Sequence, residues 1–205
     1  MVGRGTCHPA GREGRADSGG VIDPSDCGFT STKNDVRTRR LEWEHVVPAS
    51  VLAGNRTCWK SGHALCVKPD GSSFKGRKCC EKAGVDDDAR HMINDLHNLA
   101  PSIGEVNADR SNHPYDIVEK EPRAYGACDF EVGGTPTRAE PRPSIRGNVA
   151  RIWLYMTETY NLPLSPEQRQ MFQGWGESDP AGQWEIERDK RIEKIQGNKN
   201  PHVRN

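Results

Sequence analysis

Seven cysteines, at positions 7, 27, 58, 66, 79, 80 and 128, constrain this chain more than any periodic pattern in it. Only 33% of its 205 residues are hydrophobic, while glycine (21) and proline (14) are abundant. A chain of this kind builds long loops around a modest core, and disulfides are the usual support. They persist only outside the reducing cytosol, so the expected location is outside it. The length allows one domain over 1–205 with enough core to fold as a monomer. The first twenty residues hold no apolar run, so the chain reads as a mature or trimmed form without a signal peptide. No stretch approaches a membrane span, and no membrane partner is expected.

Residues 1–40 lack hydrophobic period and read as an irregular arm carrying Cys7 and Cys27. Residues 41–47 read as the first strand, rich in aromatic and β-branched bulk and ended by Pro48. Glu44 and His45 sit at its end. In a regular strand neighbours point to opposite faces, so the pair can serve one site only where the chain bends. Residues 54–84 form a second irregular region, the cysteine-rich insertion. His63, between Cys58 and Cys66, raises zinc, but no paired C-x-x-C is present and adjacent Cys79-Cys80 would crowd a tetrahedral site. Disulfides are the preferred reading.

Asp86, Asp87 and Asp88 precede a short helix over 89–94, where acids suit the macrodipole. A calcium loop would need alternating ligand spacing and a distal Glu. Residues 96–100 read as a second strand carrying Asn98. Pro101 and Ser102 open a helix, with Ser102 and Glu105 at capping-box spacing and Asn107, Asp109 and Arg110 along it. Residues 113–143 are loop-rich around Cys128. A strong helix over 144–161 places Ile145, Val149, Ile152, Met156 and Tyr160 on one face. Ser165-Pro166-Glu167-Gln168 starts another, faced by Met171, Phe172 and Trp175. A last helix over about 181–196 turns Trp184, Ile192 and Ile195 inward and stops at Gly197. Segments 41–112 and 144–197 therefore read as a site and its helical support.

Strand, strand and helix bring together an acid, an imidazole and two amides. Glu44 and Asn107 offer two oxygens to a hard cation such as magnesium, which keeps its remaining positions as water. A neutral histidine beside it can take a proton from water. Phosphodiester hydrolysis needs those parts. Formal net charge is zero, but 33–40, 68–82 and 188–204 are locally basic.

The runs Glu44-His45-Val46-Val47-Pro48-Ala49, Gly76-Arg77 before cysteine, Asp95-Leu96-His97-Asn98-Leu99 and 104–112 resemble the bacterial endonuclease I family. So do Arg146-Gly147…Ala150-Arg151, Tyr155-Met156, Leu164-Ser165 and Gln196-Gly197-Asn198…Asn200-Pro201, which extends the likeness from about residue 25 to the end. The resemblance implies an α+β, mixed, loop-rich, disulfide-stapled single domain with a ββα-metal (His-Me finger) core and C-terminal helices. It implies a periplasmic or secreted non-specific endonuclease acting on DNA and RNA and leaving 5′-phosphate ends. By resemblance His45 is the general base, and Glu44 and Asn107 bind Mg2+, with Mn2+ or Ca2+ as alternatives. Arg77 holds the scissile phosphate, and Asn98 positions the histidine loop. Arg37, Arg39, Arg40, Lys75, Lys78 and Arg110 are the candidates for backbone phosphates.

Two departures stand out. Ala108 occupies a position where glycine is expected, and the segment from Cys58 to Cys80 is longer, with Cys66 and Cys79 extra. The family pattern pairs Cys58 with Cys80; the extra Cys66 and Cys79 are then paired with each other. Cys7 and Cys27 bracket the arm and are paired, and Cys128 is left as a free thiol. Six paired cysteines allow fifteen arrangements. A disulfide-stapled binding module and a zinc hydrolase are the competing functional classes. A vestigial binding copy would have lost Glu44, His45 or Asn107, and all three are present.

Overall fold

The computed structural model describes residues 28–33, 36–120 and 122–204. In chain order the elements are β1 (Leu41–His45), α1 (Ala49–Ala53), α2 (Thr57–Lys60), α3 (Arg77–Cys80), α4 (Asp87–Ile93), β2 (Leu99–Ile103), α5 (Gly104–Arg110), β3 (Phe130–Gly133), β4 (Arg138–Pro141), α6 (Pro143–Tyr160), α7 (Pro166–Ser178) and α8 (Gln183–Gln196). Single 3-10 turns at Val36–Arg39 and Leu96–Asn98 lead into β1 and β2. The class is α+β, as expected. The chain divides into two compact units, 1–44 with 100–145, and 45–99 with 146–205.

In the first unit β1 and β2 form a two-stranded sheet, and β3 and β4 a second. In a two-stranded sheet each strand keeps one open edge, where a proline such as Pro101 of β2 is tolerated. Gly104 follows immediately, donating its N–H to the Arg40 carbonyl (2.8 Å). A Cβ at Gly104 would stand 2.8 Å from the Arg37 carbonyl oxygen and 2.9 Å from the Glu42 carboxylate, so only glycine lets α5 start there. The β3–β4 hairpin is antiparallel, with Phe130 opposite Pro141 and Gly133 opposite Arg138. Phe29 stacks on Tyr125 at 5.9 Å.

The second unit is built on α6, which is buried on most of its circumference rather than on one face. Trp153 stacks on Phe172 of α7 at 5.4 Å, and Phe172 meets Trp175 edge-on at 5.7 Å. Ser165 and Gln168 close the expected capping box. Gly197, at φ 88°, ends α8 as expected. Gly147 is required by a close approach: a Cβ there would lie 1.9 Å from the Asp179 carbonyl oxygen. Arg151 donates to that carbonyl (2.7 Å) and forks onto Glu185 at 2.8 and 2.6 Å. Both side chains of this ion pair are only 5% exposed. Arg151→Met should therefore cost about 3–5 kcal/mol by stranding the buried Glu185 charge, whereas Arg151→Met with Glu185→Leu should cost far less. Urea denaturation of the two variants checks this; equal losses would overturn it.

Cys58 is bonded to Cys80 and Cys66 to Cys79, as expected. These sulfurs are therefore not thiolates available to zinc. Cys128 is disulfide-bonded and is not the free thiol expected. With the other four cysteines paired among themselves, a bonded Cys128 is incompatible with the expected Cys7–Cys27 bridge; Cys7 and Cys27 lie outside the described residues. The pairing of Cys128 depends on how the chain returns on itself, which spacing does not encode.

Other expectations also give way. Asn98 closes a 3-10 turn and does not lie on a strand; β2 begins one residue later. The expected capping box at Ser102 fails because the strand runs through Ile103, and Ser102 donates to the Ile103 carbonyl. The insertion is not wholly irregular, since α2 and α3 lie within it, nor is 113–143, which holds the hairpin. In α8 Ile192 is inward, but Trp184 is 46% and Ile195 75% exposed. Glu185 and Asp189 take the buried face instead, because Arg151 and the Asn200 backbone supply partners for them.

Candidate active site

In the first unit, α5 presents Arg110, Asn107 and Glu105 toward different partners. Arg110 is buried, donates to Glu44 Oε1 at 2.5 Å, and lies 4.4 Å over the Tyr115 ring. It therefore cannot reach a nucleic-acid phosphate, and its place among the phosphate contacts is corrected. Its charge is spent on the carboxylate beside it. Glu44 is itself buried, and burial pushes its carboxyl up to about 7 against the opposing pull of Arg110. Asn107 turns its amide nitrogen to Glu42 Oε2 (2.9 Å), so its carbonyl oxygen is the end available as a neutral hard donor.

Glu42 also pairs with Arg37. Glu105 is buried, which alone would raise its pKa. Bonds from Ser31, the Thr32 hydroxyl and N–H, and Thr38 outweigh that and hold it at about 2. Asp109 pairs with Lys33 and accepts from the Tyr125 hydroxyl at 2.8 Å. These bonds fix α5 in place, and with it Asn107.

Glu44 and Asn107 carry the types of oxygen donor that a divalent hard cation takes. One carboxylate and one amide oxygen match magnesium's habit of taking few protein oxygens. A carboxylate whose charge is penalised by burial is one that a bound cation would hold ionised. Calcium, which takes six to eight oxygens, would need more donors from water or substrate.

In the second unit, His45 Nε2 lies 2.8 Å from the Ile93 carbonyl oxygen. A carbonyl only accepts, so Nε2 carries the hydrogen and the lone pair of the neutral ring is at Nδ1. Ile93 ends α4, whose last carbonyls lack intrahelical donors, and the ring caps one of them. Beyond His45 the chain is held by Asn98, which is fully buried. Its Oδ1 accepts from Val47 N–H (2.7 Å), its Nδ2 donates to the Val47 carbonyl (3.0 Å), and its own carbonyl accepts from Val46 N–H (3.0 Å). Asn98 thus grips the backbone one and two residues past His45. No part of it is exposed for substrate, so its contribution is positional.

The Asn98 turn is in turn anchored. Asp95 Oδ2 accepts from the Tyr155 and Tyr160 hydroxyls (2.7 Å each), and Oδ1 from the His97 N–H (2.8 Å) and the Gln196 amide (2.9 Å). Arg188 of α8 donates to the Leu96 and Leu99 carbonyls at 2.6 Å and to that of His97 at 3.4 Å. Burial lowers the His97 pKa.

Arg77 opens α3, half-exposed and paired with Glu81 at 2.8 Å. The Cys58–Cys80 bridge fixes the helix that carries it. Arg39, Arg40, Lys75 and Lys78 are exposed, as a phosphate contact requires; Arg37 is half-buried against Glu42.

Glu42, Glu105, Asp95 and Arg188 support the site in ways sequence reasoning did not assign: Glu105 was read as a cap, Asp95 only as part of a motif, Arg188 only within a basic run. Nothing local marks these roles, since each depends on partners distant in the chain.

The family model for Endonuclease I matches residues 17–205. A periplasmic deoxyribonuclease of Aeromonas hydrophila is 40% identical over 182 residues, covering 88% of this chain and 70% of that protein. The endonuclease-1 of Buchnera aphidicola subsp. Acyrthosiphon pisum is 40% identical over 184 residues, covering 90% of this chain and 67% of that protein. An extracellular deoxyribonuclease of Aeromonas hydrophila is also 40% identical over 182 residues, covering 88% and 72%. With the Glu44-His45 step, the Asn98 clamp and Asn107 all inside a sequence that the family model matches over residues 17–205, this chain belongs to the Endonuclease I family.

Proposed function

We propose that this chain is a periplasmic or secreted endonuclease that hydrolyses phosphodiester bonds of DNA, and of RNA alongside it, leaving 5′-phosphate ends. The observation that carries the reading is the His45 ring, fixed by Ile93 so that its basic nitrogen is Nδ1. The relatives named as periplasmic or extracellular nucleases support the substrate and the location. The Cys58–Cys80 and Cys66–Cys79 disulfides, which persist in an oxidising compartment, also support the location.

In this reading Nδ1 of His45 takes a proton from water as the water oxygen attacks phosphorus. The bond from phosphorus to the 3′ oxygen breaks, and the proton balance is completed by water protonating that oxygen. Arg77 holds the phosphate through its guanidinium, a donor set matched to such oxygens. Asn98 keeps His45 in place through the Val46–Val47 backbone. Glu44 and Asn107 would hold Mg2+, or Mn2+ or Ca2+ in its stead, and the ion would offset negative charge on the phosphate and leaving oxygen.

Nicking of supercoiled plasmid with magnesium and with chelator tests the reading. Activity should require magnesium, and Glu44→Ala and Asn107→Ala should each raise the magnesium needed and lower the rate. DNA binding should survive chelator and weaken with salt, because exposed Lys and Arg supply non-specific affinity. Full activity in chelator would overturn the metal ligands. Rescue by zinc alone would favour a zinc hydrolase, and binding without cleavage a binding module.

A further inference from the structure

We propose that Arg188 is a positioning residue for His45, acting through the Asn98 turn; the inference rests on the reading of His45 as the base. The route is continuous within the second unit. One guanidinium nitrogen of Arg188 serves the carbonyls of Leu96 and Leu99 at 2.6 Å and reaches that of His97 at 3.4 Å. These three residues flank Asn98 on both sides. Asn98 converts that anchoring into three bonds on Val46 and Val47. The next residue back is His45, whose ring must keep Nε2 on the Ile93 carbonyl for Nδ1 to be the basic end.

The chemistry suits arginine and not a generic cation. Three carbonyls of one tight turn converge on a single donor group, which needs a planar, permanently charged group held at fixed distance. Carbonyls gathered this way repel one another, so the turn requires a cation at their focus. Arg188 is itself held between acids: Glu185 and Asp189 on its own helix and Asp95 at the turn's start all act on its charge. It belongs to the basic run 188–204, yet this arrangement assigns its charge to the turn rather than to a phosphate.

The test is a double-mutant cycle on the full chain: Arg188→Met, Asn98→Ser and both, with kcat and KM read on the folded fraction. Arg188→Met should lower kcat by about ten- to a hundredfold, the scale of loss when a reacting group is misplaced by an ångström. KM and DNA affinity in chelator should not change. The double variant should be no slower than Asn98→Ser, since Arg188 acts through Asn98. Arg188→Lys should recover part of kcat, and should Arg188→Met fail to fold it carries the same cycle. A folded Arg188→Met with normal kcat overturns the proposal, as do losses that multiply in the double variant or fall on KM. A fully active His45→Ala would instead overturn the base assignment, whatever Arg188 does.

Discussion

His45→Ala should reduce plasmid nicking by about a hundred- to ten-thousandfold, the span set by loss of a general base. The fold should survive. The ring is half-buried and bonded to the Ile93 carbonyl. Losing one such bond costs about 1 kcal/mol, so the melting temperature should fall by only a few degrees. Substrate binding should be unchanged, because phosphate affinity comes from exposed Lys and Arg. The measurement is kcat with purified protein beside a melting curve. A near-normal rate would remove His45 from the chemistry; a collapsed melting curve would make it a structural histidine instead.

Asp95→Ala should cost about 3–5 kcal/mol of stability, or a melting temperature lower by about 10 °C. Asp95 is 2% exposed and accepts four hydrogen bonds, two from tyrosine hydroxyls, one from a backbone N–H and one from Gln196. Burial, and then the bond to Asp95, raises both phenol pKa values, so Tyr155 and Tyr160 remain donors over the whole working pH range. Alanine strands the buried Tyr155 hydroxyl and His97 N–H, takes an acceptor from Tyr160 and Gln196 nearer the surface, and removes a charge that offsets Arg188. The rate should fall as well, since the same turn carries Asn98. Asp95→Asn, which keeps one acceptor oxygen, should lie between. A denaturation midpoint for Asp95→Ala close to that of the parent would overturn the account.

The sequence by itself determined the features whose causes are local. The helices at Pro143–Tyr160, Pro166–Ser178 and Gln183–Gln196 were legible because period, capping box and terminal glycine act within a few residues. The Glu44-His45 step was legible because covalent adjacency is part of the sequence, and Asn107 because it rides a short helix that was expected, though one starting at Gly104 rather than at Pro101. Tertiary structure decided which face each polar residue would serve. Arg110 and Arg188 look like phosphate-binding cations in a basic context, yet one is turned onto Glu44 and the other onto the carbonyls of the 96–99 turn. Glu105 looks like a capping residue, yet it is buried under the hydroxyls of Ser31, Thr32 and Thr38. Asn98 looks like a strand residue, and Cys128 like a spare thiol. In each case the residue's role is set by a partner tens of residues away. The free energy of burying a charge or an amide depends on that partner, and no local pattern encodes where the chain will bring it.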